Sequence, residues 1–296
     1  MKKQSQLDFV IPCYKNTAHH LLPIIKAHSE LAHADSQRFF IIIDEDDESR
    51  YFVEKNVSSL RQDVHIVITE TLIDKAAFHH SIQEKCGVDS LYYPWYWQQF
   101  KKLFSFLIPE IKEQIILWDC DTYPLKKCDF FVSEVPMVMT SKAEYHVPYF
   151  LTFYNLTGFL CLPPFSSITQ HAAVSKIELA ELAQLFQTGA ISKDSILGKG
   201  YFDQKRYFDR VFSSLSLAKD LNQLFGDYEY FTLLRLYKKT PFLFVSYPHF
   251  RYGGLIPLPR FFILRILALF GFYNVSFERY HIFEGLRLSN ALSRLL

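Results

Sequence analysis

Two carboxylates, Asp119 and Asp121, follow directly on the apolar run Ile115-Ile116-Leu117-Trp118, with Thr122 and Pro124 behind them. A continuous apolar run of this length suits a strand buried on both faces of a sheet, and Pro124 stops its extension. Side chains at i and i+2 of an extended chain share a side. Asp119 and Asp121 can therefore converge on one cation while Cys120 points back into the protein. Two hard oxygen donors suit Mn²⁺ or Mg²⁺, with water and substrate phosphates completing the shell. The alternative is an acidic strand-end turn that holds no metal. Ligands of open α/β sheets bind at the carboxyl ends of strands, so this turn is the first candidate site.

The elements that must position it are legible as alternating strand and helix patterns. Leu7–Pro12 reads as a first buried strand, Ala18–Leu31 as a helix that Thr17 can cap, Arg38–Ile43 as a second strand and Val64–Thr69 as a third. The second strand ends in Asp44-Glu45-Asp46-Asp47-Glu48, which is either a solvated acidic loop or a used one. Tyr92–Leu107 predicts a helix starting near Pro94. Its apolar stripe is Trp95, Phe100, Leu103, Phe104 and Leu107, and Gln98, Gln99, Lys101 and Lys102 carry the polar functions. This places Lys102 or Gln98 near a bound nucleotide, where a cation would offset diphosphate charge. Further on, Phe130–Thr140 reads as strand or extended chain, Glu144–Phe150 as an aromatic loop, Ala172–Gln187 as a helix and Gly189–Gly200 as a surface loop or a cover over the site. Asp227 and Glu229 open a helix with Phe231, Leu233, Leu234 and Leu236 on its apolar face, and Phe242–Ser246 is the last strand expected. Acids in a first helical turn are ordinary partners of the helix dipole. Together these patterns predict an α/β fold with a mainly parallel sheet flanked by helices.

Composition narrows the classes. The 296 residues are 49% hydrophobic and 17% aromatic with a net charge of +1, so no global field argues for nucleic acid. The 29 Phe and 18 Tyr exceed the needs of a plain core, which predicts aromatic surface meeting a ligand, a membrane or a partner. Cys13, Cys86, Cys120, Cys128 and Cys161 show no C-x-x-C spacing, and their dispersal fits reduced thiols in a cytoplasmic protein. Met1–Gln6 lacks the apolar run of a signal peptide, and no apolar stretch reaches the ~18 residues of a membrane span. Pro257–Phe270 is strongly apolar but interrupted by Arg260 and Arg265, with Arg279, Arg287 and Arg294 beyond. It reads equally as a helix in an anionic membrane interface or as a core helix with snorkelling arginines. The expected division is a catalytic domain over 1–255 and a C-terminal helical appendage over 256–296. No P-loop, G-x-S-x-G elbow or zinc-type cysteine cluster supports other common enzyme classes.

Strand–Asp119-Cys120-Asp121–Thr122 resembles the DxD motif of GT-A glycosyltransferases, which hold a nucleotide sugar's diphosphate through a divalent metal. The opening resembles them too, with Pro12-Cys13-Tyr14 ending the first strand and Asp44 or Asp46 ending the second, where the nucleoside base is received. Trp95-Tyr96-Trp97-Gln98-Gln99-Phe100-Lys101-Lys102-Leu103, followed by the Asp-x-Asp strand, resembles an uncharacterised bacterial family of glycosyltransferases. In that family a His-Pro-Tyr-like element, matched loosely here by His146, Pro148 and Tyr149, faces the acceptor, and Gln170 and His171 match an element that meets a sugar. The resemblance implies a GT-A-like, Rossmann-like architecture. It implies Pro12, Tyr14, Asp44, Asp46, Gln98 and Lys102 around the nucleotide, and Asp119, Asp121 and a late histidine, His249 ahead of His281, around the metal. Inverting members carry their base at a helix start, here Asp227 first and Glu229 second, although Gly226 replaces the usual first acid. Such a base takes the acceptor hydroxyl proton as that oxygen attacks the anomeric carbon.

The function expected is glycosyl transfer from a nucleotide sugar, a UDP-sugar foremost, to a hydroxyl of a glycan or glycolipid in bacterial surface polysaccharide or lipopolysaccharide synthesis. The setting implied is the cytoplasm or the inner face of the cytoplasmic membrane. A metal-dependent nucleotidyltransferase or phosphohydrolase could use the same Asp-x-Asp pair, and a non-catalytic membrane-associated binding protein would also tolerate the aromatic surface.

Overall fold

The computed structural model describes residues 6–14, 17–31, 36–46, 50, 53–55, 57, 63–86, 93–140, 145–191, 202–215, 225–246, 249–250, 253 and 260–277. Its centre is a five-stranded sheet in the order β3-β2-β1-β4-β8. These strands are β1 (Gln6–Pro12), β2 (Ser36–Ile43), β3 (Asp63–Ile68), β4 (Gln114–Trp118) and β8 (His171–Ser175). The first four run parallel, and β8 lies antiparallel to β4. The apolar runs of β1, β2 and β4 are buried along almost their whole length, as strands covered on both faces must be. Parallel pairing brings their carboxyl ends to one edge, where Pro12, Ile43, Ile68 and Trp118 stand beside one another. This is an α/β fold with a mixed, mainly parallel sheet flanked by helices.

Helices cover both faces. On one side lie α2 (Lys75–Cys86), α3 (Tyr93–Leu103), α4 (Val147–Thr157), α5 (Lys176–Thr188), α6 (Gln204–Leu215) and α7 (Asp227–Lys238), around a core rich in aromatic rings. Phe78, Phe100, Tyr207, Phe208 and Phe212 meet there mostly edge to face. Much of the aromatic surplus expected at the surface is thus spent on packing helices against the sheet. The opposite face carries α1 (Ala18–Leu31) and α8 (Arg260–Leu269). The Thr17 hydroxyl exchanges hydrogen bonds with the Tyr14 backbone, so it closes the β1–α1 loop and leaves the helix N–H groups alone.

Two small sheets flank the main one. The strands β5 (Thr122–Pro124), β11 (Asn274–Ser276) and β10 (His249–Phe250) form one, and β6 (Phe131–Val132), β7 (Val135–Met139) and β9 (Leu243–Val245) the other. Residues 260–277 lie past the boundary drawn at 255, yet Ile263 and Leu267 pack into the core of β1 and β2, and β11 pairs with β5. Among the described residues no helix is long and apolar enough to cross a membrane.

Two expectations need correction. The helix expected from Ala172 begins at Lys176, because His171–Ser175 pairs with β4. Ser175 then caps α5, its hydroxyl accepting from the Glu178 N–H while the Glu178 carboxylate accepts from the Ser175 N–H. The aromatic loop expected over Glu144–Phe150 turns helical at Val147, with Pro148 in the first turn, where its missing N–H costs nothing. Gly189 ends α5 in the left-handed region, and a β-carbon there would come within 2.6 Å of the Arg210 guanidinium. Residues 192–200 of the expected Gly189–Gly200 loop lie outside the described residues.

The opposite edge of the sheet holds a buried ion pair. Asp8 of β1 accepts from Arg38 Nε at 2.8 Å, from Arg38 Nη2 at 2.6 Å and from the Lys112 N–H at 2.6 Å. Removing one partner of such a pair strands a charge in low dielectric. Asp8→Ala is expected to lower stability by about 3–5 kcal/mol, read as a drop in the urea midpoint. A loss below about 1 kcal/mol would mean that water reaches Arg38.

Candidate active site

Two strand-end carboxylates of the carboxyl edge meet α3. This helix crosses the end of β1, which lies between β2 and β4. Its side chains divide into two sets. Trp97 Nε1 donates to Asp44 Oδ1 at 2.7 Å, and Lys101 Nζ stands 2.9 Å from the same oxygen. One residue further on, Gln98 Nε2 donates to Asp119 Oδ1 at 3.3 Å and Lys102 Nζ at 2.8 Å. Residues four apart lie on one helical face, so 97/101 serve the end of β2 and 98/102 serve the end of β4. Lys101 and Lys102 are 0% and 1% exposed. Each ammonium also rests over a tyrosine ring, Lys101 at 4.2 Å from Tyr14 and Lys102 at 4.3 Å from Tyr228. Burial pulls the Lys101 pKa down, and the Asp44 charge works against that pull.

Asp44 is thus the acid at the end of β2 that the helix engages. Asp46 is exposed in the following turn, where its carbonyl accepts the Arg50 N–H. Pro12 is buried at the end of β1, and the half-buried Tyr14 donates its hydroxyl to the Pro94 carbonyl at 3.0 Å, tying the β1 loop to the start of α3.

At the end of β4 the Asp119 N–H donates to the Gln170 carbonyl at 3.1 Å, and Gln170 holds a positive φ of 62° to present it. Asp121 is half-buried, and its carbonyl accepts the Phe277 N–H at 3.0 Å. Burial, and then the neighbouring Asp119 charge, push the Asp121 carboxyl up to about 7. A carboxylate in that position favours a cation. The two oxygen-bearing side chains fit a hard divalent ion on their donor chemistry, with Lys102 already claiming one oxygen of Asp119.

Several expected residues stand elsewhere. Glu229 is 0% exposed, and its carboxylate accepts from Ser166 Oγ at 2.5 Å, Ser167 N at 2.8 Å and Ser167 Oγ at 3.1 Å. It fastens the 166–167 loop to α7 and is not open to an acceptor hydroxyl. His249 turns its Nδ1 to the Asn274 side chain. Among the described residues no three His, Cys, Asp or Glu side chains gather as metal ligands. The His249 strand, β10, is separated from β5 by β11. His281 lies outside the described residues. His171 is buried, with Nδ1 against the Thr169 carbonyl and its ring against Trp118, and half-buried His146 precedes α4 and packs on Tyr149. Asp227 is the first residue of α7. The next residue, Tyr228, accepts from Lys102 Nζ at 3.0 Å, which ties the start of α7 to the Asp119 pair.

Sequence reasoning missed Trp97, Lys101 and Tyr228. The signal was present in two adjacent lysines on a short helix rich in aromatic residues.

Compared with solved structures, the chain is similar to mouse xyloside xylosyltransferase 1 in its apo form. The two are 13% identical, with a TM-score of 0.45, over 92% of this chain and 96% of that one. No protein-family model matches the chain, and no curated protein matches it.

The Asp121 shift has a consequence for stability. The carboxyl binds its proton more tightly folded than unfolded, so the fold loses stability as pH rises from about 4 to about 7 and loses no more above that. Asp121→Asn is expected to raise the melting temperature of the ligand-free protein at pH 8 and to leave it nearly unchanged at pH 4. The gain at pH 8 should be on the order of 1–3 kcal/mol after allowance for partial exposure. The same effect at both pH values would show that the carboxyl is not strained by its charge.

Proposed function

We propose that this protein is a GT-A-like, divalent-metal-dependent glycosyltransferase that moves a sugar from a nucleotide sugar, a UDP-sugar foremost, to a hydroxyl of a glycan or glycolipid. One observation carries the reading. Buried ammonium groups of one helix engage two strand-end carboxylates on either side of β1. The arrangement offers one station for a nucleoside and a second for its diphosphate at the carboxyl edge of the sheet, the ordinary ligand edge of such folds.

In this reading Asp44, held by Trp97 and Lys101, receives the nucleoside, with Tyr14 and Pro12 forming the floor. Asp119 and Asp121 hold Mn²⁺ or Mg²⁺, which neutralises charge on the departing nucleoside diphosphate. Lys102 and Gln98 fix the Asp119 carboxylate, and Lys102 adds positive charge beside the diphosphate. Asp227 is the base in a single in-line displacement with inversion, taking the proton of the attacking hydroxyl. Glu229 is left out of this role because its oxygens are already satisfied.

The test is a thermal-shift panel of UDP, GDP, CMP and UDP-sugars, with Mn²⁺ or EDTA, on wild type, Asp121→Ala and Lys102→Met. Ligands that bind only the folded state raise its melting temperature by mass action. A shift for UDP or its sugars that requires Mn²⁺, and that both substitutions reduce by at least about tenfold in apparent affinity, is the expected outcome. A chain indifferent to every nucleotide would end the donor assignment. Phosphate or pyrophosphate release without an acceptor would point instead to a hydrolase or nucleotidyltransferase.

The acceptor setting we propose is surface polysaccharide or lipopolysaccharide assembly at the cytoplasmic membrane face. Support comes from α8, whose end exposes Leu269 (86%) and Phe270 (78%) with exposed Lys126 alongside Gly271 and exposed Lys127 next to it. Apolar tips with lysines beside them suit an anionic lipid surface. The protein is expected to pellet with phosphatidylglycerol-containing vesicles and less with phosphatidylcholine alone. Leu269→Ser with Phe270→Ser should release it. Retention in the supernatant throughout would remove the membrane from the proposal.

A further inference from the structure

Cys13 follows β1 and Cys120 stands between Asp119 and Asp121; their sulfurs are 3.5 Å apart, and both side chains are buried. The parallel pairing of β1 with β4 brings the chain that follows each strand to the same edge of the sheet. The start of α1 holds both sulfurs at one point. Cys120 Sγ lies 3.5 Å from the Thr17 carbonyl, and Cys13 Sγ lies 3.9 Å from Thr17 Oγ1. Other thiols face different groups: Cys86 meets the Phe212 carbonyl and Cys128 the Tyr273 hydroxyl.

We propose that Cys13 and Cys120 are a covalent modification site, joined by a two-electron thiol oxidant into a reversible disulfide that shuts the strand-end site. With a diazenedicarboxamide as oxidant, one sulfur adds to the N=N bond and the other then displaces the nitrogen. One S–S bond forms and two S–H bonds break. The diazene leaves as the hydrazine, carrying both electrons and both protons.

Bonding draws the sulfurs from 3.5 Å to about 2.05 Å, and one of the two residues it pulls on separates Asp119 from Asp121. A misplacement of about 1 Å at a reacting centre is worth on the order of a hundredfold. The shut-off rests on the donor reading given above; the crosslink does not.

The test treats reduced full-length protein with diamide, blocks residual thiols with iodoacetamide under denaturing conditions, and maps the peptides. The expected product is one crosslinked peptide pair holding residues 13 and 120, separated again by dithiothreitol. It should be absent from Cys13→Ser and from Cys120→Ser, and retained in Cys86→Ser. The oxidised chain should lose its Mn²⁺–UDP thermal shift and recover it on reduction. No 13–120 pair in the folded wild type, or pairing of other cysteines in its place, would overturn the site. A fully crosslinked chain with an undiminished shift would overturn the shut-off. If the reduced protein shows no nucleotide shift at all, the donor reading fails, and the peptide map still decides the crosslink.

Discussion

Two ammonium groups placed in the interior must each find a carboxylate, because an unpaired buried charge costs several kcal/mol. Lys101 and Lys102 meet this demand at Asp44 and Asp119. Adjacent residues of a helix point about 100° apart, and two inter-strand spacings separate β2 from β4 by about 9.6 Å. Neighbouring lysines can therefore reach both strand ends only if the helix lies across the end of β1. The pairing fixes where α3 sits, and α3 fixes the geometry of the edge.

The remaining architecture holds that helix down. Phe100 packs on Phe208, Phe212 and Phe225, which belong to α6 and the chain leading into α7. Arg235 of α7 is bound to the Glu178 carboxylate and donates to the Ala173 carbonyl at 2.6 Å, locking α7 to α5 and β8. Because Tyr228 lies on the same helix and meets Lys102, a shift of α7 would be felt at Asp119 through two successive hydrogen bonds of Lys102. Glu229 belongs to this supporting layer. Its three donors make it a bolt between the 166–167 loop and the helix, and Gln170, whose carbonyl receives the Asp119 N–H, lies three residues past that bolt.

What could be read from the sequence follows from which signals are local. The runs at β1, β2 and β4 are mostly apolar, and such runs have few other uses in an α/β chain, so these strands and the fold class were legible, while the order of the strands was not. The strand His171–Ser175 was hidden because five residues next to a strongly periodic helix extend that helix's pattern. Only the ladder with β4, set by distant residues, separates the two. Lysines are read as solvated by default, so Lys101 went unweighted; its burial depends on Asp44, some fifty residues earlier in the chain. Glu229 and His249 carry the right chemistry at plausible sequence positions. Their partners, Ser166, Ser167 and Asn274, are tertiary neighbours that no spacing announces.

The charge balance of the edge explains why Asp121 differs from its two companions. Lys101 answers Asp44 and Lys102 answers Asp119, so each of those carboxylates has a cation beside it. For Asp121 the bond from Thr122 Oγ1, at 3.4 Å, is long, and burial and then the Asp119 charge resist its ionisation more than Lys102 favours it. The demand for a cation is thus concentrated on one carboxylate, with a second one within reach to share it. A divalent ion there would turn a locally negative edge into a positive one. Under the proposed reaction that is the sign a departing diphosphate requires, and it would be present only when the metal is bound. Two built-in lysines alone could not create that dependence, because they are present whether or not a metal is bound and are largely balanced by the carboxylates that allow them to be buried.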